Sequence, residues 1–246
     1  MKALLLCAGV GSRLYPLTKY TPKPLVDIAG KPLIWYWIKL LQSDSRIQTI
    51  YINVHHLSEQ ITSYVLDNFS DENIIFLEEF ELLGTAGTLL FNKKHWSSSD
   101  LLVIHADNFS LMNLKEFLDA FDKKPSCALG LMGLFKTDNP TSCGIVKLDG
   151  FGMLESFFEK VPNPPGILAN AAVYAFDHTL FSVLDEGPSY YDISYDIVPQ
   201  LLGRLKGYLF DSYHRDIGTP DSLIRVREDI KQDYKAQFVG FVDSIG

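Results

Sequence analysis

Short, continuously apolar runs alternate with longer segments of helical periodicity through the first half of the chain. The apolar runs predict strands covered on both faces, over residues 3–7, 49–54, 73–77 and 101–105. The periodic segments predict helices over 32–41 and 57–66, and Pro32 is tolerated in a first helical turn. Because strand and helix alternate at the spacing of βαβ crossovers, we predict an α/β fold: a Rossmann-like, mostly parallel mixed sheet flanked by helices.

The second half of the chain has a different pattern, in which strand-like segments are separated by turns. Strands are predicted over 126–134, 144–148, 154–158, 169–176 and 205–210. Thr219, Pro220 and Asp221 then begin a last helix that extends to about residue 234, and the signals after it are weak. We therefore expect one domain over 1–246, with a first half at 1–125, a second half at 126–234 and a tail at 235–246.

The composition describes an acidic, folded chain. Among 246 residues there are 22 basic and 30 acidic side chains, for a formal charge of −8, and 47% of the residues are apolar. This balance excludes wholesale disorder and argues against nucleic acid as a partner, since such binding needs a basic surface. No apolar run approaches the roughly 18 residues of a membrane span. Three widely spaced cysteines fit neither a disulfide framework nor a zinc site, so we expect buried thiols in a reducing, cytoplasmic setting.

A local excess of positive charge follows the first predicted strand. The first 26 residues contain four basic side chains and no acid, and two of the four, Arg13 and Lys23, lie in a loop that also holds Gly9 and Gly11. The loop is not a dinucleotide fingerprint, because Leu14 stands where the third glycine should be. Glycines let backbone N–H groups approach phosphate oxygens, and the two cations add fixed charge. The pattern predicts a site for a phosphorylated ligand.

The sequence from Gly9 to Leu25, GVGSRLYPLTKYTPKPL, resembles the signature of the sugar-1-phosphate nucleotidyltransferases, the family of glucose-1-phosphate thymidylyltransferases and mannose-1-phosphate guanylyltransferases. Later segments resemble further motifs of that family in the same order: LGTAGT at 83–88, IHAD at 104–107, FEK at 158–160, NAAVY at 170–174 and DIGTP at 216–220. The resemblance extends over residues 1–227, and it implies a short form of the family without an added domain.

The resemblance implies two partners, a nucleoside triphosphate and a sugar-1-phosphate, which react to give a nucleotide sugar and pyrophosphate. Positioning and charge neutralisation carry most of the catalysis of such a transfer. The catalytic residues implied are Arg13 on the pyrophosphate, Lys23 on the α-phosphate, and Asp107. Asp107 and Asp216 each follow an apolar strand, and two carboxylates at the carboxyl ends of a sheet suit Mg²⁺ as a cofactor.

The resemblance also implies binding residues for each substrate. Those for the nucleotide are Ala8, Gly9, Gly11, Ser12, Glu79, Gly84, Thr85 and Ala86. Those for the sugar phosphate are Lys160 on the phosphate, Glu159 and Asn170 on the hydroxyls, and Gly144, which allows close approach. A carboxylate accepts the N1 and N2 protons of guanine well, and three glutamates precede LGTAGT, so the pattern favours GTP with a mannose- or heptose-type sugar.

Two departures from the family pattern affect the expected sugar side. His105 and Ala106 replace the usual Asn and Gly before Asp107, and Ala172 replaces a glycine in NAAVY. Each puts a methyl or larger group near the expected sugar pocket, so the identity of the sugar does not transfer from any subfamily.

Other functions stay open. A cytidylyl- or uridylyltransferase would use phosphocholine or an amino-sugar phosphate, and a quaternary ammonium would need aromatic rings, for which the candidates are Phe157, Phe158, Tyr174, Tyr190 and Tyr191. A metal-dependent glycosyltransferase would share the sheet, but Asp107 is not followed by the second Asp of an Asp-x-Asp motif. A regulatory subunit without catalysis is disfavoured, because the implied catalytic residues are all retained. The sequence does not decide whether the chain forms a homo-oligomer.

Overall fold

The computed structural model describes residues 1–70, 72–184 and 191–246. The strands of these residues are β1 (Lys2–Leu6), β2 (Asp27–Ile28), β3 (Lys31–Pro32), β4 (Thr49–Val54), β5 (Ile74–Glu78), β6 (Leu101–His105), β7 (Asn108–Ser110), β8 (Gly130–Lys136), β9 (Gly144–Leu148), β10 (Leu154–Glu159), β11 (Leu168–Phe176), β12 (Leu205–Leu209) and β13 (His214–Asp216). The α-helices are α1 (Leu33–Gln42), α2 (Ser58–Asn68), α3 (Gly84–Phe91), α4 (Leu114–Asp122), α5 (Pro220–Asp229) and α6 (Lys235–Ile245).

The chain divides into two compact units. The first consists of Met1–Leu82, Ile104–Leu114 and Ser212–Gly246, and the second of Leu83–Val103 and Lys115–Asp211. Each unit combines segments that are distant in sequence, so long-range pairing defines both.

Three parallel strands form the centre of the first unit. β4 lies between β1 and β5, with Leu4 opposite Tyr51 and Tyr51 opposite Ile75. The side chain of Leu4 is fully buried, as the continuous apolar run predicts. Parallel strands place their carboxyl ends at one edge, so the glycine-rich loop that follows Leu6 starts at the same edge where β4 and β5 end.

The tail forms α6, which packs on α1 within the first unit. The ring centroid of Tyr36 lies 6.1 Å from that of Phe238 and 6.4 Å from that of Phe241. The side chain of Gln237 accepts a hydrogen bond from the Tyr213 N–H at 2.9 Å. No side chain caps the start of α6, which explains the weak local signal: the helix depends on its tertiary partners.

The second unit contains a mixed set of strands. β8 pairs antiparallel with β11 and parallel with β12, and β9 pairs antiparallel with β10 and with β11. The register of β11 on β8 shifts between Asn170 and Tyr174. This bulge lies in the NAAVY segment, and bulges commonly redirect side chains next to functional sites.

The predicted fold class is confirmed, since parallel and antiparallel pairings occur together in a mixed sheet. Strands predicted over 49–54, 101–105 and 144–148 have those bounds. The strand predicted over 126–134 is wrong at its start, because Ala128 donates to Pro125 in a turn and β8 begins only at Gly130. The pattern also fails to predict α3, which is short and begins at a glycine without a capping side chain.

The last predicted helix is correct at its start and too long at its end. Thr219 and Ser222 form a reciprocal capping box at the beginning of α5. The helix ends at Asp229, where the Tyr234 N–H donates to the Asp229 carbonyl in the turn that precedes α6.

The expectation of buried thiols holds at only one cysteine. Cys7 is buried, whereas Cys127 is exposed and Cys143 is partly exposed. Burial and the nearby Asp107 carboxylate raise the pKa of the Cys7 thiol, which favours its protonated form at neutral pH. Among the described residues, no helix combines the length and apolar character needed to cross a bilayer.

Candidate active site

The cationic loop of the first unit depends on Gly11. Its φ of 65° lies in the left-handed region, and its carbonyl accepts a hydrogen bond from the hydroxyl of fully buried Thr18 at 2.7 Å. A Cβ at Gly11 would lie 3.2 Å from Thr18 Cγ2. Gly9, by contrast, has open space where a Cβ would be, and Ser12 beside the loop is exposed. The conformation of the loop therefore requires Gly11, whereas the open space at Gly9 leaves room for a ligand to approach.

Lys23 connects this loop to the two predicted metal ligands. Its side chain is only 6% exposed, and its Nζ atom lies 2.9 Å from Asp107 Oδ2 and 2.9 Å from Asp216 Oδ1. The two carboxylates are 42% and 45% exposed, so part of each reaches solvent. One buried ammonium thus holds two acids together that are far apart in sequence.

The strand ends explain how the two acids meet. β6 ends at His105, and the Ala106 N–H then donates to the carbonyl of Leu6 at the end of β1, which leaves Asp107 at that edge. β13 pairs antiparallel with β7, and Asp216 lies opposite Asn108, the neighbour of Asp107. Ala106 itself is fully buried, so its methyl group belongs to the packing beneath this edge.

The charges of the cluster stabilise one another. Burial by itself lowers the pKa of Lys23, but its attraction to Asp107 and Asp216 and its hydrogen bonds to them outweigh burial and raise the pKa. Burial would raise the pKa of Asp107, but Lys23, His105 and Arg13 lower it to about 2. Lys23 and Asp107 are therefore both ionised at neutral pH.

Arg13 and Gly218 complete the cluster. Arg13 is 65% exposed, and its Nη2 atom lies 3.5 Å from Asp216 Oδ2. A Cβ at Gly218 would lie 2.6 Å from Asp216 Oδ2 and 2.7 Å from that same Arg13 nitrogen. The glycine of DIGTP thus leaves the space in which the arginine and the aspartate meet, a role that the sequence alone does not reveal.

Glu79 lies in a buried hydrogen-bond chain of the first unit. Its side chain accepts from Asn53 Nδ2 at 2.9 Å, and Asn53 Oδ1 accepts from the Cys7 N–H at 2.6 Å. Only 6% of Glu79 is exposed, whereas its neighbours Glu78 and Glu81 are exposed. This chain of hydrogen bonds connects the residues that follow β1 and β5. Its central residue, Asn53, belongs to none of the motifs found in the sequence.

The second unit brings together Glu159 and Lys160. Consecutive residues of a strand point to opposite faces, so these two side chains should diverge. Lys160 instead has a φ of 50°, in the left-handed region, and its Nζ atom lies 3.1 Å from Glu159 Oε1. Burial lowers the pKa of Lys160, but the hydrogen bond and attraction to Glu159 outweigh it and raise the pKa. An unfavourable backbone conformation thus forms the ion pair, which is typical of functional sites.

Gly144 makes room for this pair. It lies at the start of β9, opposite Glu159 in the register of β10. A Cβ at Gly144 would collide with Glu159 Oε2 and with the ring of Phe157. In this structure, therefore, the side chains of Glu159 and Phe157 fill the space beside Gly144 where the sugar phosphate was expected to approach.

Asn170 is held on both sides within the bulge of β11. Its Nδ2 atom donates to the hydroxyl of Tyr174 at 2.6 Å, and its Oδ1 atom accepts from the Ala172 N–H at 2.9 Å. Ala172 has a φ of 53°, the left-handed conformation that favours glycine. A glycine would adopt this conformation without strain, whereas the alanine here adopts it at some cost.

The segment Gly84–Ala86 binds another part of the second unit. The Ala86 N–H donates to the Tyr191 carbonyl at 3.1 Å, and the Ile193 N–H donates to Thr85 Oγ1 at 2.8 Å. Gly84 has a φ of 74°, and a Cβ there would overlap the Tyr191 carbonyl. The residues predicted to contact the nucleotide base thus also hold the chain at 191–193. Ala8, Gly9, Gly11, Ser12 and Glu79 belong to the first unit.

The aromatic residues considered for a quaternary ammonium are unevenly exposed. Tyr174 is fully buried with its hydroxyl bonded to Asn170, and Tyr191 is 59% exposed. The ring of Phe158 faces Lys147 Nζ at 5.9 Å. Tyr190 lies outside the described residues. The ammonium of Lys147 beside Phe158 would repel a bound cation, and the ring of Tyr174 is buried. These residues therefore do not form an aromatic cage for a quaternary ammonium.

Asp100, Asp177 and His178 lie close enough together to share a metal ion. Asp177 already has partners for both oxygens: Lys124 Nζ lies 2.9 Å from Oδ2, and Thr179 donates to Oδ1 through its N–H at 3.0 Å. These bonds make Asp177 the cap of a short helix that is paired with a lysine. The arrangement is explained without a metal.

The fold and the charged cluster define an α/β protein with a cationic, glycine-rich loop beside paired carboxylates. The chain belongs to the Nucleotidyl transferase family, whose profile matches residues 2–233. This confirms the resemblance found in the sequence motifs.

Relatives of known name support the same family. "Bifunctional protein GlmU" of Methanococcus aeolicus is 30% identical over 246 residues, which cover 98% of this chain and 57% of that protein. "Probable mannose-1-phosphate guanylyltransferase 2" of Arabidopsis thaliana is 31% identical and covers 91% of this chain and 63% of that protein. The chain therefore spans 57% to 63% of the length of these relatives.

A solved structure shows the same fold. The crystal structure of a candidate glucose-1-phosphate thymidylyltransferase from Bacillus anthracis, in complex with a sucrose, superposes with a TM-score of 0.84 at 22% identity. The match covers 94% of this chain and 96% of that one. The mostly parallel mixed sheet flanked by helices is thus shared along almost the whole length.

Proposed function

We propose that the chain is a sugar-1-phosphate nucleotidyltransferase, which condenses a nucleoside triphosphate with a sugar-1-phosphate and releases pyrophosphate. The observation that carries the proposal is the position of Lys23, whose ammonium lies 2.9 Å from both Asp107 and Asp216 beside the cationic loop. Phosphoryl transfer concentrates negative charge at one phosphorus, and catalysis comes mainly from fixed positive charge and alignment. Arg13 and Lys23 provide that charge here, on pyrophosphate and α-phosphate.

Magnesium fits the same cluster. Carboxylate oxygens are the ligands that Mg²⁺ prefers, and Asp107 and Asp216 would hold the ion through their solvent-facing sides. When bound, the ion would neutralise negative charge on the phosphate groups. Lys23 keeps the two acids close together without the ion, so they are already arranged as a pair.

The acceptor side of the proposal rests on the second unit. Lys160 would bind the sugar phosphate, and Glu159 and Asn170 would bind hydroxyls. Two of these three residues have positions set by unusual backbone: Lys160 by its own positive φ, and Asn170 by the bulge at Ala172. Such fixed orientations suit selective recognition of a rigid sugar ring.

We further propose GTP and a mannose- or heptose-type 1-phosphate as the preferred pair, in a cytoplasmic protein that draws on the nucleotide pool. The name of the Arabidopsis relative, at 31% identity, supports a guanylyltransferase. The buried hydrogen bond of Glu79 to Asn53 leaves the exposed Glu78 and Glu81 as the carboxylates available to a base.

A matrix of substrates tests the proposal. Pyrophosphate release is measured with GTP, UTP, CTP or dTTP against mannose-1-phosphate, a heptose-1-phosphate, glucosamine-1-phosphate or phosphocholine, each with Mg²⁺. We expect the highest turnover with GTP and mannose- or heptose-1-phosphate. Equal or faster release with UTP would contradict the GTP preference, turnover only with phosphocholine would favour the alternative acceptor, and no release with any pair would contradict the proposal itself.

Asp216→Asn provides the matched test of mechanism. It should abolish pyrophosphate release while the circular dichroism spectrum stays unchanged. Asp221→Asn, which removes an exposed acid from the first turn of α5, serves as the control and should retain turnover.

A further inference from the structure

Residues 191–195 of the second unit form a short segment that contacts α3 and extends toward Tyr174, the hydrogen-bond partner of Asn170. Asp192 accepts hydrogen bonds from the N–H groups of Ser194 at 2.7 Å and Tyr195 at 3.2 Å through Oδ1, which caps the π-helical turn Ile193–Ile197. Its other oxygen, Oδ2, lies 3.3 Å from the Thr85 hydroxyl, which donates to it. The carboxylate is therefore fixed from two sides.

Thr85 is the anchor of this segment. Its hydroxyl donates to Asp192 and also accepts from the Ile193 N–H at 2.8 Å, so one oxygen makes both bonds. The backbone bond from Ala86 to Tyr191 runs beside them. Valine at position 85 would have nearly the same shape and could make neither side-chain bond.

The far end of the segment reaches the proposed acceptor residues. Ser194 neighbours the hydroxyl of Tyr174: burial raises the pKa of Tyr174, and the side chains of Asn170 and Ser194 partly offset that rise. That hydroxyl accepts from Asn170 Nδ2 at 2.6 Å, and Tyr174 is fully buried. The hydroxyl of Tyr174 thus fixes the orientation of Asn170, and Ser194 lies next to that hydroxyl.

We propose that Asp192 is a positioning residue for the acceptor: anchored by Thr85, it places Ser194 and Tyr174 so that Asn170 can bind the sugar. The inference rests on the proposed function for the identity of the ligand. It gives Thr85 a role toward the sugar phosphate through Asp192, in contrast to the direct contact with the nucleotide that the family resemblance implies.

The first experiment does not need turnover. The side-chain amide resonances of Asn170 are followed by NMR in the wild-type chain and in Thr85→Val, Thr85→Ser and Asp192→Ala. We expect them to shift in Thr85→Val and Asp192→Ala and to stay in place in Thr85→Ser, which keeps the hydroxyl. Asp177→Ala, which removes a different helix cap of the same unit, is the control and should leave them unchanged. Unshifted Asn170 signals in both Thr85→Val and Asp192→Ala would overturn the proposal.

The second experiment separates the two substrates. With the best pair from the substrate matrix, Thr85→Val and Asp192→Ala should raise the KM for the sugar phosphate roughly tenfold and the KM for the triphosphate less than about twofold. Thr85→Ser should restore the wild-type values. A larger rise in the KM for the triphosphate would overturn the proposal, because Thr85 would then serve the nucleotide directly. If the wild-type chain releases no pyrophosphate, the proposed function fails while the NMR experiment still decides this inference.

Discussion

The Nζ atom of Lys23 lies 2.9 Å from Oδ2 of Asp107, although the two residues are 84 positions apart. The ammonium is buried and the carboxylate reaches solvent, so the lysine neutralises the acid from the protein side. It does the same for Asp216. A divalent ion bound to these acids would therefore compete with Lys23 for their charge.

Removal of this lysine should tighten metal binding. In Lys23→Met the two acids lose their buried counter-ion and keep only the exposed Arg13, so we expect the free energy of unfolding to fall by about 1–2 kcal/mol, since both carboxylates are partly exposed. Mn²⁺, measured by electron paramagnetic resonance without nucleotide, should bind roughly tenfold tighter than in the wild-type chain. Lys19→Met removes an exposed lysine of the same loop and should change neither value. Weaker Mn²⁺ binding in Lys23→Met would show that the lysine holds the ligands in place instead.

Gly218→Ala should reduce turnover with little loss of stability. The added methyl would overlap the carboxylate of Asp216 and the guanidinium of Arg13, and both would have to move. A shift of about 1 Å in a catalytic group commonly reduces rate by about 100-fold. Steady-state kinetics and urea unfolding measure the two effects. Gly150→Ala is the matched control, because a Cβ there meets no atom within 4 Å; equal activity of the two variants would make the Arg13–Asp216 contact dispensable.

Ala172→Gly should stabilise the chain. Alanine at a φ of 53° is disfavoured by about 1–2 kcal/mol, and glycine loses part of that gain through its greater freedom in the unfolded chain. The net increase in the free energy of unfolding should be about 0.5–1 kcal/mol, measured by urea titration. Ala175→Gly, at a buried position of the same strand with ordinary backbone, should instead destabilise. A loss of stability in Ala172→Gly would mean that the methyl group contributes more by packing than its conformation costs.

The ion pair of Asp177 predicts a defined acid dependence. Burial raises the pKa of Asp177, but hydrogen bonds from Thr179 and Lys124 lower it from its usual value of 3.8 to about 2. Because the folded pKa is depressed, the stabilisation is fully present above 3.8 and is lost as pH falls toward 2. Asp177→Asn should cost about 1–2 kcal/mol at pH 7, and its deficit relative to the wild-type chain should shrink between pH 4 and pH 2.5.

Urea unfolding at several pH values measures this difference. Asp119→Asn provides the comparison, because it breaks an exposed helical pair with Lys115 and should have little effect at any pH. A deficit of Asp177→Asn that stayed constant down to pH 2.5 would contradict the assignment of the lowered pKa.

Much of the candidate site could be predicted from the sequence because its parts are local. Arg13 and Lys23 lie in one loop whose glycines and missing acids stand out against an acidic chain. Asp107 follows an apolar run whose bounds as a strand were predicted correctly. The order of these motifs along the chain then identified the family. Local composition, periodicity and spacing are enough to predict such features, because each feature depends on only a few neighbouring residues.

Other parts of the site depend on contacts that no local pattern shows. Asn53 and Glu79 share a hydrogen bond only because β4 and β5 are neighbours in the sheet. Lys160 pairs with the residue directly before it only because its backbone leaves the strand conformation. Asp192 reaches Thr85 across a separation of 107 residues.

The α/β class, the strand positions of the first half and the cationic loop follow from the order of residues alone, because burial and charge act on each residue where it stands. Three further features appear only in the folded chain: Lys23 lies between Asp107 and Asp216, Glu79 is bonded to Asn53, and the tail is a helix packed on α1. These features depend on strand order and on packing between segments that are distant in sequence. Such contacts contribute to the free energy only after the chain has folded.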